Sequence, residues 1–174
     1  MFQEASISLV DLDVIAYTKG PGAFTGVRMC IGVVQGLSLA ADVPTIGFST
    51  LELLGYRASA KLKHYAIAIA LDARMGEVYW GAYKDGILSD EKLCDPSEVG
   101  KLNGEFVGVG SGWSTYPNEM KAASGVERID TDLFPKSSSL IGLTYEALKN
   151  GSEASFELAQ PTYLRNNVAQ KSVK

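Results

Sequence analysis

Val14-Ile15-Ala16-Tyr17 is a short continuous apolar run, and beyond a glycine-rich stretch at 20–26 the apolar positions take up helical spacing. The run predicts a strand over 13–18, and the spacing predicts a helix over 24–41. Val27, Ile31, Val34 and Leu37 or Ser38 fall on one stripe of that helix, and Gly32, Gly36 and Ala40 fall on another. A helix apolar nearly all round is buried on more than one side. One side can face its own sheet; the other needs a second partner, either the helix at 51–59 or another subunit. Asp42 and Pro44 stop the helix and a short strand follows at 45–48. Ser49 or Thr50 then caps a helix that carries Leu51, Leu53, Leu54 and Ala58. Strand, helix, strand, helix is an α/β pattern.

The charged piece Lys61-Leu-Lys-His64 reads as a linker. Strand-like runs follow at 65–71 and 76–83, joined by Asp72-Ala-Arg-Met75. Ala66 to Ala70 is apolar on both faces, which places it centrally in a sheet. Asp85-Gly86 signals a turn, and a third strand over 87–93 makes a meander. Pro96 opens a short helix over 96–102. A buried strand at 106–109 runs into a second glycine turn. A helix from Ser137 or Ser138 to Lys149 ends at Asn150-Gly151. The tail from Tyr163 is polar and basic and is expected to be partly mobile.

The chain of 174 residues can bury a real core, as one domain or two small lobes. A net charge of −4 argues against a dedicated nucleic-acid binder, so any basic patch must be gathered by the fold from Lys19, Arg28, Arg74 and Arg165. Cys30 and Cys94 have neither metal nor redox spacing, and Cys30 reads as a reduced core residue. One histidine, His64, is a poor start for a zinc site or a Ser-His-Asp triad, and it reads as a solvated loop residue. The N-terminus lacks a leader pattern, and the apolar stretch at 27–43 is interrupted by Arg28, Gln35 and Asp42. The expected place is the cytoplasm, with no membrane contact.

The glycine turn at 20–26 leaves helix N–H groups facing outward, as a phosphate cradle would, but so does a bare strand-to-helix joint. No Gly-Lys-Ser/Thr follows, and the spacing is not the dinucleotide fingerprint. Asp72 and Glu77 could pair as carboxylates and Arg74 could clamp an anion. The plainer reading is a hairpin connection with Gly76 at positive φ and solvated charges. Arg165 could meet a phosphate or a partner carboxylate. The plainer reading there is a chain end with Tyr163 and Leu164 packed. Trp113 reads as packing.

Lys19-Gly-Pro-Gly-Ala-Phe-Thr-Gly-Val-Arg28 with Ile31-Gly-Val-Val-Gln-Gly-Leu37 resembles the signature of the bacterial TsaB (YeaZ) family. So do Leu71-Asp-Ala-Arg-Met-Gly-Glu-Val-Tyr-Trp80, Gly108-Val-Gly-Ser-Gly-Trp113 and Pro161-Thr-Tyr-Leu-Arg-Asn-Asn167, in the family's order. The resemblance implies an actin-like ATPase (ribonuclease H-like) fold of two lobes with mixed sheets. Residues 1–60 would be a remnant of the first lobe and 61–174 the second. The family's opening strands would precede this sequence, so a truncated first lobe with an open edge at 13–18 is expected. The implied role is a non-catalytic scaffold in making threonylcarbamoyladenosine in tRNA. It would dimerise with a TsaD-like catalytic subunit, recruit a TsaE-like ATPase, pair with itself when that partner is absent, and reach tRNA through the complex. ATP and metal are expected in the partner subunits, with no cofactor, metal or catalytic residue in this chain. Gly22, Phe24, Thr25, Arg28, Met29, Gly32, Val33, Gly36 and Ala40 would form the partner interface. Arg74, Glu77, Arg165 and Asn166 would make polar contacts with partner, nucleotide or tRNA. The alternative is an actin-fold ATP-dependent enzyme, or a peptidase-like protein in line with the family's old label.

Overall fold

The structure, a computed structural model, describes Glu4, 6–89 and 91–165. Strands β1 (Ile15–Thr18) and β2 (Thr45–Phe48) pair in parallel, Ile15 beside Thr45 and Thr18 beside Phe48. Helix α1 (Phe24–Ala41) makes the crossover between them, with the bounds its sequence predicts. Helix α2 (Thr50–Leu62) starts at a capping box in which Ser49 Oγ accepts from Leu51 N–H and Glu52 folds back on the Ser49 N–H.

The second sheet has the order β5-β4-β3-β7-β8, with β6 also on β4. Strand β3 (Ala66–Arg74) lies between antiparallel β4 (Glu77–Lys84) and parallel β7 (Val107–Val109). Strands β5 (Ile87–Leu88) and β6 (Lys92–Cys94) take the outer side of β4, and β8 (Arg128–Asp130) extends β7. Helices α3 (Ser111–Thr115), α4 (Pro117–Ser124) and α5 (Ser138–Lys149) follow β7 in the chain, and a 3-10 turn, Leu9–Asp11, precedes β1 and lies near α1.

Several expectations need correction. The linker at 61–64 is in part helix, because Leu62 continues the buried stripe of Leu51, Leu54 and Ala58; Lys63 at φ 51° then closes α2. The His64 ring bonds the Glu105 carbonyl at 2.7 Å rather than standing in solvent alone. The single strand over 87–93 is two short ones, because Ser89 turns its N–H and its hydroxyl onto Ala82. The helix over 96–102 is one 3-10 turn, Pro96–Glu98, with Gly100 at φ +87° after it. Helices α3 and α4 and strand β8 were not predicted. Tyr163 to Arg165 is held by contacts described below rather than loose.

Side chains of β3 alternate between two layers. Ile67 and Ile69 meet Leu51, Leu54 and Ala58 of α2, while Ala68 and Ala70 face Trp113 and Met120. Alanines are needed there because the indole packs against the strand, its Nε1 donating to the Ala68 carbonyl at 2.9 Å. A Cβ at Gly108 would stand 2.7 Å from the Trp113 ring, and one at Gly112 would stand 2.8 Å from the Ala70 Cβ. The first sheet is also two-sided. Tyr17 meets Ile31 and Val34 of α1, and Ile46 and Phe48 meet Leu53 and Leu143 on the opposite face. The second neighbour expected for α1 is therefore not α2, which sits across the sheet. Among the described residues α1 buries only Ile31 and Val34.

These packings separate two kinds of glycine. Gly108→Ala is expected to cost about 1–3 kcal/mol by overpacking against the indole. Gly32→Ala, where a Cβ meets nothing within 4 Å, is expected to gain up to about 1 kcal/mol through helix propensity. Urea unfolding of the two variants checks the opposite signs.

Candidate functional site

A cleft of about 690 Å³ opens between the two sheets, and all four glycine-rich or charged motifs of the sequence reach it. The first is the turn that leads into α1. Gly20 sits at φ +103° beside a cis bond to Pro21, and a Cβ on it would stand 2.9 Å from the Thr162 carbonyl oxygen. Its own carbonyl accepts from Thr50 N–H at 2.8 Å, which ties the turn to the start of α2. Glycine here serves a close approach of two chain segments. The N-cap of α1, Ala23, makes no side-chain bond, so the helix N-terminus is capped by no side chain.

The second motif is the β3–β4 hairpin. Asp72 N–H donates to Ser111 Oγ at 3.0 Å, and Asp72 Oδ1 accepts from Arg74 N–H at 2.9 Å. Arg74 and Met75 hold φ of 63° and 58°, followed by Gly76 at 79°. The Arg74 guanidinium is 3.1 Å from Asp72 Oδ2 with 87% of its side chain exposed, so this ion pair is worth little. The third motif, at Gly110-Ser111, supplies that Ser111 hydroxyl. Gly110 is at φ +101°, with Ala70 O 2.4 Å from where a Cβ would be, so this turn too is a packing joint.

The fourth motif is the C-terminal segment. Tyr163 and Phe24 lie with ring centroids 6.3 Å apart, and the Arg28 guanidinium carbon is 3.1 Å from the Phe24 centroid and 4.9 Å from that of Tyr163. Arg165 meets Glu77 Oε2 at 2.6 Å and donates to the carbonyls of Ala73 at 3.0 Å and Arg74 at 3.3 Å.

Residues 1–173 match the family model described as TsaD: tRNA N6-adenosine threonylcarbamoyltransferase. The tRNA threonylcarbamoyladenosine biosynthesis protein TsaB of Escherichia coli (strain K12) is 40% identical over 176 residues, covering 95% of this chain and 76% of the relative. YeaZ from Pseudomonas aeruginosa superposes with a TM-score of 0.84 at 37% identity, covering 94% of this chain and 78% of that one. A second Pseudomonas aeruginosa structure, described as similar to peptidase YEAZ, superposes equally well at 0.84, with 37% identity, 94% of this chain and 79% of that one. This chain belongs to the TsaB (YeaZ) family. Its fold is accordingly the actin-like ATPase, ribonuclease H-like architecture.

Within that frame the predicted site residues separate. Gly22, Phe24, Arg28, Arg74 and Arg165 line the cleft, and Glu77 joins them through Arg165. Thr25 is exposed at the start of α1, and Met29, Gly32, Val33, Gly36 and Ala40 form an exposed face along the helix. Asn166 lies outside the described residues. The Tyr163 stack was not singled out in the sequence, although the Phe24 and Arg28 spacing of one helical turn permits it. By length and composition α1 would pass for a membrane span, with mean hydropathy 1.4, but Ile31 and Val34 seat it on the first sheet. No group of three His, Cys, Asp or Glu that could hold a metal exists among the described residues.

The sequence also gave no warning of two carboxylates behind the Gly20 turn. Burial pushes Glu52 up, with the Ser49 N–H and the Lys19 charge opposing. Burial likewise pushes Glu91 up, opposed by a Ser49 hydrogen bond and by Lys19, while Glu52 raises it further. A carboxyl with a raised folded-state pKa stabilises the fold below its ordinary value of 4.5 and loses that contribution as pH rises through the raised value. Glu91→Gln keeps a neutral hydrogen-bonding group, so its stability relative to the parent is expected to grow from pH 4.5 toward pH 7.5. Urea unfolding across that range measures it, and parallel curves would refute the assignment.

Proposed function

We propose that this chain is a non-catalytic subunit for making threonylcarbamoyladenosine in tRNA, the process its curated relatives are named for. In this reading the exposed face of α1 docks a TsaD-like catalytic subunit, and the pair recruits a TsaE-like ATPase. Without the partner, the same face pairs with a second copy of this chain.

The supporting observation is the surface of α1. Met29 is 66% exposed and Val33 61%, and a Cβ on Gly32 or Gly36 would meet nothing among the described residues within 4 Å. Small residues one turn apart beside large apolar ones let a second helix close in, and an apolar strip of this kind marks an association surface. Arg74, paired with Asp72 but with 87% of its side chain exposed, is a cation that a partner carboxylate or a tRNA phosphate can reach. Arg165 is spent inside the chain, so its part in any contact is indirect.

The cleft and the N-terminus of α1 keep an actin-fold ATP-dependent enzyme as the second reading. ATP turnover by the purified chain that Gly22→Val abolishes would favour it. A peptidase reading gains nothing from His64, which lies outside the cleft against the Glu105 carbonyl.

Val33→Arg places a charge on the open face without touching the core. It is expected to leave thermal unfolding within about 0.5 kcal/mol of the parent, as surface changes do. It is expected to weaken association with the TsaD-like subunit by tenfold or more, as a charge buried unpaired at an interface should. Light scattering on a sizing column, for the chain alone and mixed, reads both the self-pairing and the mixed complex. A variant that associates as well as the parent sinks the assignment of this face.

A further inference from the structure

One segment, residues 159–165, crosses from the first sheet to the second at the mouth of the cleft. Its start belongs to the first sheet: Ala159 is buried against Tyr17, Ile31 and Val34, and Gln35 Nε2 donates to its carbonyl at 2.8 Å. Thr162 N–H then donates to the Lys19 carbonyl at 2.7 Å, and Tyr163 stacks on Phe24 and Arg28. Its end belongs to the second sheet. The Arg165 side chain, 14% exposed, gives its fork to Glu77 and to the carbonyls of Ala73 and Arg74.

We infer that this segment is a strap that sets the width of the cleft, and that Arg165 is a positioning residue that locks the Asp72–Glu77 hairpin in place. The two sheets also share α2, whose first residue, Thr50, donates to the Gly20 carbonyl beside the strap. Leu53 packs on Ile46 and Phe48 of the first sheet, and Leu51 and Leu54 pack on Ile67 and Ile69 of the second. A shared apolar helix and a polar strap joining the same two sheets are the elements of a hinge and a closure. The hairpin needs a lock. Arg74 and Met75 both hold positive φ without being glycine, a conformation that persists only where the surroundings enforce it. A planar guanidinium that takes a carboxylate and two carbonyls at once fixes such a turn better than an ammonium could. Because Phe24 and Arg28 belong to α1, the strap also couples the hairpin to that helix.

The inference concerns the chain by itself and stands apart from any partner. Hydrogen–deuterium exchange read by mass spectrometry tests it on peptides covering 72–77 and the central strand 66–70. The deciding variant is Tyr163→Ala, which removes the stack on Phe24 and Arg28 at the end of the strap opposite the hairpin contact. The hairpin peptide is expected to exchange about fivefold faster with the central strand unchanged, as a local opening would show. Arg165→Lys, which keeps the charge and loses the fork, is expected to speed the same peptide about tenfold, since a hydrogen bond to a charged group contributes on that scale. Parent rates in the hairpin of Tyr163→Ala would overturn the strap, leaving Arg165 a local clip. A uniform rise over both peptides would overturn it as well.

Discussion

The seating of Trp113 on β3 is the constraint from which the second sheet follows. An indole packed this closely on a strand leaves no room for large residues at the contact, which is why Ala68 and Ala70 alternate with Ile67 and Ile69. It also excludes a side chain at Gly108 on the neighbouring strand and at Gly112 in the helix that carries the ring. Small residues on one face and branched ones on the other give β3 a different layer on each side, so it must be central. Gly110 and Ser111 are fixed by the same packing, and Ser111 then receives the Asp72 N–H at the cleft. The position of the hairpin is thus an outcome of core packing two residues away from it.

The first sheet is organised by a different economy. Its two strands are short and parallel, and each face needs a cover. Helix α1 covers one face with only Ile31 and Val34 fully buried, while α2 and α5 share the other through Leu53 and Leu143. The half-buried carboxylates Glu52 and Glu91 lie near the joint between the sheets, where the capping box of α2 has to be satisfied next to the Gly20 turn. Keeping charge there disfavours the fold at neutral pH, and Lys19 offsets part of that cost.

Local punctuation made much of this legible. Helix α1 has the predicted bounds because Gly-Pro-Gly opens it and Asp42 and Pro44 close it, and β2 follows for the same reason. The central place of β3 was readable from its two apolar faces. What failed depends on distant partners. Strand β8 is three residues with charges at both ends and is a strand only because β7 lies alongside it. Helix α3 hides behind Gly-Ser-Gly, and Pro117 takes the first position of α4. Each motif of the cleft was visible singly. Their convergence was not, because Thr162 and Arg165 reach residues on both sheets far back in the sequence.

The composition of α1 resolves once its two faces are separated. A helix that packed one face and met water with the other would carry charge on the outside, and its moment would be strong. Here the outside carries Met29, Val33 and Leu39 at 66%, 61% and 72% exposure, interleaved with Gly32 and Gly36. Glycine inside a helix costs stability, and large apolar groups in water cost solubility. Among the described residues neither cost is offset, since no neighbour lies within 4 Å of either glycine's missing Cβ. At Gly108 and Gly112, by contrast, the missing side chain is explained by an atom already in its place. A surface that is expensive on its own terms and unexplained by internal packing is what supports the proposed docking face.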